Sequence, residues 1–109
     1  MTQDWDTLQR LYETIQSRRG ASPEESYTAK LFAKGRSKIA QKVGEEAVEL
    51  AIAAVTDKKR GMVGESADLL YHMLALWVEC GIEPKEVMEI LQQREGVSGI
   101  AEKRSRFHT

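Results

Sequence analysis

A chain of 109 residues can bury one modest core, and the expectation is a single domain over residues 1–109. Its 41% hydrophobic and 30% charged residues suit a soluble protein, and a formal charge of −1 excludes bulk charge as a reason to bind nucleic acid or membrane. The lone Cys80 excludes an internal disulfide; neither the N-terminal MTQDWD nor the near-apolar run 69–78 has the make-up of a signal peptide or membrane span, so a cytoplasmic protein is expected.

Period-two alternation is absent and helical spacing recurs, which predicts an all-α fold of four to five helices. Trp5, Leu8, Leu11, Tyr12 and Ile15 mark a first helix that Gly20 ends. The polar stretch RRGASPEES leads to a short helix from Thr28 to Lys34, closed by Gly35. A third helix is predicted from about Ser37 to Thr56, and a fourth from Lys59 to Cys80, stopped by Gly81. A fifth begins at Pro84, a favoured first-turn residue, and is expected to bury Val87, Met88 and Leu91 before Gly96. Residues 97–109 are a basic tail, read as flexible or folded over a neighbour.

Like charge gathers where the apolar pattern is strongest. On the third helix Ile39, Val43, Ala47, Val48, Leu50, Ala54 and Val55 cover more than half the circumference, leaving a strip with Lys38, Lys42, Glu45, Glu49 and, at its edge, Glu46. The fourth helix is apolar almost all round, which predicts a buried helix with one polar wedge, on the order of 60° wide, holding Glu65, Asp68, His72 and Glu79. If the two helices form a hairpin turning near Asp57, Glu49 and Glu65 each lie eight residues from the turn, and Glu46 and Asp68 each lie eleven. Equal distances put such pairs at one level, so four or five carboxylates converge between apolar helices. Unpaired, they repel and resist desolvation. A divalent cation removes the conflict, and an all-oxygen set suits Mg²⁺ or Mn²⁺ rather than zinc. The plain alternative is a set of solvated acids pairing with Lys38, Lys42 and Lys58.

Just upstream, residues 27–44 carry Lys30, Lys34, Arg36, Lys38 and Lys42 and no acid. Alone, such a run is an ordinary solvated face. Beside a metal site it is what a polyphosphate needs, with lysines neutralising the oxygens that the metal leaves.

The stretch SYTAKLFAKGRSKIAQKVGEEAVEL, followed by ESADLLYHML, resembles the phosphoribosyl-ATP pyrophosphatase family of histidine biosynthesis. That family lies within the all-α NTP pyrophosphatase group, with the MazG-like and dimeric dUTPase-like enzymes. The spacing E-x-x-E then E-x-x-D marks only the wider group, whereas SYTAKL, KIAQKVGEE and DLLYH are specific to the phosphoribosyl-ATP branch. The resemblance spans about Trp5 to Lys103. It implies a helical-hairpin fold assembling as a helical-bundle homodimer, and a nucleotide-binding hydrolase that cleaves 1-(5-phosphoribosyl)-ATP to 1-(5-phosphoribosyl)-AMP and pyrophosphate. It also implies Mg²⁺, with Mn²⁺ as substitute, held by Glu46, Glu49, Glu65 and Asp68. Glu45 is then a further ligand or the base that orients the attacking water. Lys30, Lys34, Lys38 and Lys42 become the phosphate-binding candidates, with Arg36 a weaker one.

Ser26, Tyr27 and Thr28 match the family signature and contact substrate in one reading; in the other they cap and pack a helix. His72 is either a histidine satisfied by an ordinary hydrogen bond or a partner holding Asp68. Arg94, Lys103 and Arg104 are candidates for reaching substrate across a subunit boundary, while Cys80, Trp77 and the methionines read as filling. In some organisms the family's enzyme is fused to the cyclohydrolase of the following step; nothing in this sequence offers that partner's zinc-type cysteines, so a stand-alone form is expected. Two other functions fit the helices: a MazG-like pyrophosphatase of other nucleotides, and a non-catalytic dimerisation module. A di-iron bundle is excluded, because it needs Glu-x-x-His pairs and none is present.

Overall fold

A computed structural model describes residues 2–56 and 58–96, with side chains from residue 6 onward. Five α-helices and no strand occur among the described residues: α1 (Thr2–Arg18), α2 (Tyr27–Lys34), α3 (Arg36–Val55), α4 (Lys59–Cys80) and α5 (Pro84–Arg94). The all-α expectation holds, and apart from the start of α1, for which the sequence marks only Trp5 three residues in, each boundary falls within two residues of its predicted place. Residues 97–109, and with them Lys103 and Arg104, lie outside the described set.

Local chemistry sets these limits. Ser26 is extended, and its hydroxyl accepts from the Ala29 N–H at 3.2 Å, satisfying a donor that the first turn of α2 leaves orphaned. Gly35, at φ 95, then turns the chain from α2 into α3. At the other end of α3 the Thr56 hydroxyl donates to the Ile52 carbonyl at 2.9 Å, and its backbone N–H donates there at 3.1 Å. Gly81, left-handed at φ 72, stops α4, with Ile82 N–H donating back to the Trp77 carbonyl at 2.8 Å. Glu86 caps the backbone N–H of Glu83 at 2.9 Å, with Pro84 in the first turn of α5.

The helices α3 and α4 are the most extensively packed pair, with α1 laid across α4 and α2 against α3. The core gathers where these four meet: Tyr12 and Ile15 from α1, Leu31 from α2, Ile39 from α3, and Leu74, Ala75 and Val78 from α4. Tyr12 also donates its hydroxyl to the Ile82 carbonyl at 2.9 Å, pinning α1 to the connection after α4. Leu74 is 1% exposed, so Leu74→Ala removes buried methyls and leaves a cavity. Stability should fall by about 2–5 kcal/mol, seen as a lower urea midpoint with an unchanged slope.

Two burial expectations are corrected. The hairpin α3–α4 is covered only near the core, so its turn-proximal half keeps its apolar side chains in the open: Val48 is 59% exposed, Ile52 55%, Val55 84% and Val63 64%. Ala47 and Ala54 are exposed too, and α4 is fully buried only at His72, Leu74, Ala75 and Val78. Periodicity reports which faces are apolar; here the neighbours that could cover them sit at the other end. Likewise Met88 and Leu91 of α5 are exposed and Val87 half-buried, since α5 leans chiefly on α1.

Candidate functional site

The hairpin brings three of the expected carboxylates together. Glu46, Glu49 and Glu65 each place an oxygen within 4.8 Å of the others, two from α3 and one from α4. Glu46 is buried, Glu65 half-buried and Glu49 exposed. The level pairing of Glu49 with Glu65 across the turn is therefore real. Asp68 is exposed and falls outside the trio, although its charge still bears on Glu49 and Tyr27. One turn beyond Glu65 on α4, Asp68 stands on the shoulder of the cluster.

Repulsion within the trio leaves a trace. Glu49 is raised above the ordinary glutamate value of 4.5, first by the charge of Glu46 and then by a hydrogen bond between the two carboxyls, with Lys42 opposing. Oxygen donors that destabilise one another when bare, one of them buried, fit a hard divalent cation such as Mg²⁺ or Mn²⁺. Glu46, Glu49, Gly44 and Val48 also edge an open hollow of about 660 Å³ on α3.

Lys42 Nζ lies 3.7 Å from Glu46 Oε2 and 3.7 Å from Glu45 Oε1, so of the three lysines named as partners for the acids this one does pair with them. Glu45 stands apart from the trio. Its carboxylate accepts from the Gln41 amide at 2.8 Å, which with Lys42 and Lys38 holds it below the ordinary glutamate value. Gln41 was not anticipated, although its i, i+4 spacing to Glu45 is the signal that marks it.

Beside the acids is a pocket of about 270 Å³ lined by Tyr27, Lys30, Lys34, Lys38, Lys42 and Glu45. All four phosphate candidates reach it, and Lys42 and Glu45 border both this pocket and the acid hollow. Basic patch and acid cluster are thus contiguous. Arg36 is exposed and lines neither cavity, and the same holds for Arg94 at the end of α5.

The signature residues Ser26, Tyr27 and Thr28 divide. Ser26 is the helix cap described above, and Thr28 is buried with its hydroxyl on that of Tyr71, so both have structural roles. Tyr27 is 53% exposed and faces the lysine pocket. Its hydroxyl lies 3.0 Å from His72 Nε2, while His72 Nδ1 lies 2.8 Å from the Asp68 backbone carbonyl. His72 is buried and holds the main chain of Asp68 and the phenol of Tyr27, not the Asp68 carboxylate. Glu79 leaves the wedge altogether: it pairs with Arg19 at 3.4 Å, and Arg19 also donates to the Val78 carbonyl at 3.2 Å. That partner comes from the turn that follows α1, sixty residues upstream, and no local pattern announces it.

The sequence matches the family model described as phosphoribosyl-ATP pyrophosphohydrolase over residues 8–95. It is 58% identical over 106 residues to the phosphoribosyl-ATP pyrophosphatase of Paramagnetospirillum magneticum, covering 97% of each chain. The enzyme of that name from Azospirillum brasilense is 64% identical over 99 residues, covering 91% of this chain and 89% of the relative. That of Rhodospirillum rubrum is 48% identical over 101 residues, covering 93% and 86%. With the match running from the first helix through the acid hairpin to the end of the fifth, the chain belongs to the phosphoribosyl-ATP pyrophosphohydrolase family.

Proposed function

We infer that this chain hydrolyses 1-(5-phosphoribosyl)-ATP to 1-(5-phosphoribosyl)-AMP and pyrophosphate, the second step of histidine biosynthesis, at the junction of the acid trio and the lysine pocket. The observation that carries the reading is that junction, found in a chain whose relatives of equal length bear the name of the activity. Glu46, Glu49 and Glu65 would hold Mg²⁺, or Mn²⁺ in its place, with Asp68 as a fourth carboxylate on the shoulder. When bound, such an ion neutralises phosphoryl oxygens and acts as a Lewis acid toward them.

The remaining work belongs to the protein's own groups. Lys30, Lys34 and Lys38 receive the β- and γ-phosphates and stabilise the charge that builds on the leaving pyrophosphate. Water attacks the α-phosphorus, the bond to the bridging oxygen breaks, the electron pair leaves on pyrophosphate, and the proton that water sheds passes to solvent. Glu45, ionised and steadied by Gln41, accepts a hydrogen bond from that water. A carboxylate held below its ordinary value is a weak base, so Glu45 aligns the nucleophile more than it removes the proton.

The working form is a cytoplasmic homodimer, supported by the open apolar side of the hairpin and by a substrate that is a soluble nucleotide. No described helix is long and apolar enough to cross a membrane. Incubated with phosphoribosyl-ATP, the chain should release pyrophosphate only when Mg²⁺ or Mn²⁺ is present. It should do so far faster than from ATP, dCTP or dUTP assayed in parallel. Faster cleavage of the ordinary triphosphates would overturn the substrate assignment in favour of a general nucleotide pyrophosphatase.

A further inference from the structure

Lys42 occupies a place that none of the other described lysines shares. Its ammonium lies 3.7 Å from a carboxylate oxygen of Glu46, a member of the acid trio, yet it also lines the phosphate pocket with Tyr27. The side chain is 27% exposed and that of Glu46 10%, so this is a shielded contact rather than a pair of waving surface charges.

The Tyr27 end of the pocket is organised to receive a donor. A backbone carbonyl only accepts, so the contact with Asp68 places the His72 proton on Nδ1. With the ring neutral, Nε2 is then an acceptor, and the Tyr27 hydroxyl donates its only proton to it. The phenol oxygen therefore keeps lone pairs to offer and no proton. Edge-on ring contacts of His72 with Tyr27 and Tyr71 hold the arrangement.

We propose that Lys42 is a positioning residue shared between two posts, the Glu46 carboxylate in the bare protein and the Tyr27–His72 pair when a divalent cation occupies the acid trio. The inference rests on the metal reading of that trio. A divalent cation bound by Glu46 repels a neighbouring ammonium, and the posts left to Lys42 are Glu45 and the Tyr27 oxygen, both in the lysine pocket. The displaced ammonium is thereby delivered to where phosphate oxygens arrive. Lys42 and the cation compete for Glu46, and Tyr27 biases that competition toward the cation.

Mn²⁺ alone is the probe, its free fraction read by electron paramagnetic resonance on the full chain. Lys42→Met should bind Mn²⁺ about five-fold or more tightly than the unaltered chain. Tyr27→Phe keeps the ring but removes the post, and should bind Mn²⁺ more weakly. In the Lys42→Met background Tyr27→Phe should change nothing, because its effect runs through Lys42. Thermal melts without metal verify that each variant is folded. Unchanged or weaker Mn²⁺ binding in Lys42→Met overturns the proposal, as does a Tyr27→Phe effect that persists without Lys42. Failure of the unaltered chain to bind Mn²⁺ would sink the metal reading along with it, so the two failures are distinguishable.

Discussion

Glu49→Gln should lower the release of pyrophosphate from phosphoribosyl-ATP by about 10²–10³-fold, the equivalent of the several kcal/mol that a bound divalent ion contributes at phosphorus. The same variant should melt no lower than the unaltered protein in the absence of metal. Glu49 is exposed and destabilised by Glu46, so neutralising it removes repulsion and opens no cavity. Stable but inactive, and no longer stabilised by Mg²⁺, is the outcome that separates a metal ligand from a structural acid.

The pH dependence follows from the same contact. An acid raised on folding holds more protons in the folded chain than in the unfolded chain between 4.5 and its raised value. Its contribution to stability therefore falls as pH climbs through that window, and above the window the repulsion is complete. Added Mg²⁺ should raise the melting temperature most at neutral pH, and the rise should shrink as pH is lowered toward 4.5. Retention of near-full activity by Glu49→Gln, with an unaltered response to Mg²⁺, would show the carboxylate to be merely solvated.

Much of this was legible in the sequence because it depends on short-range geometry. Gly35, Gly81 and Pro84 mark helix ends through backbone conformation alone, so the boundaries follow from residue type. Glu49 and Glu65 meet because a short turn preserves register, and register is arithmetic. The acid trio next to lysines was readable for the same reason. What escaped depends on partners distant in the chain. Arg19 takes Glu79 out of the acid wedge, and Tyr27 takes His72 away from the Asp68 carboxylate; in each case the helix of the partner must first be docked. Ser26 and Thr28 share a motif with Tyr27 but point into cap and core, a division that only backbone direction decides.

The apolar excess on the hairpin was also legible, but not its cover, and it leads to the second large effect. Val48, Ile52 and Val55 repeat at intervals of four and three on α3, one stripe of a helix, and all are more than half exposed. Exposed apolar stripes of this kind mark docking surfaces. Val48 lies beside Glu46 and Glu49 on the acid hollow, so whatever covers the stripe also excludes water from the carboxylates and strengthens their hold on a cation. A second copy of the chain is the simplest cover, since a twofold interface doubles the gain from each side chain. By the same doubling, Ile52→Glu buries two unpaired charges per dimer, and the dissociation constant should rise by about 100-fold or more. Sedimentation at micromolar concentration should then show two copies for the unaltered chain and one for Ile52→Glu. The variant should keep its helical circular dichroism, because Ile52 is exposed and lies outside the core cluster, and should lose Mg²⁺-dependent activity in step with dissociation. If the unaltered chain sediments as one copy while fully active, the stripe serves another partner and the site needs no second subunit.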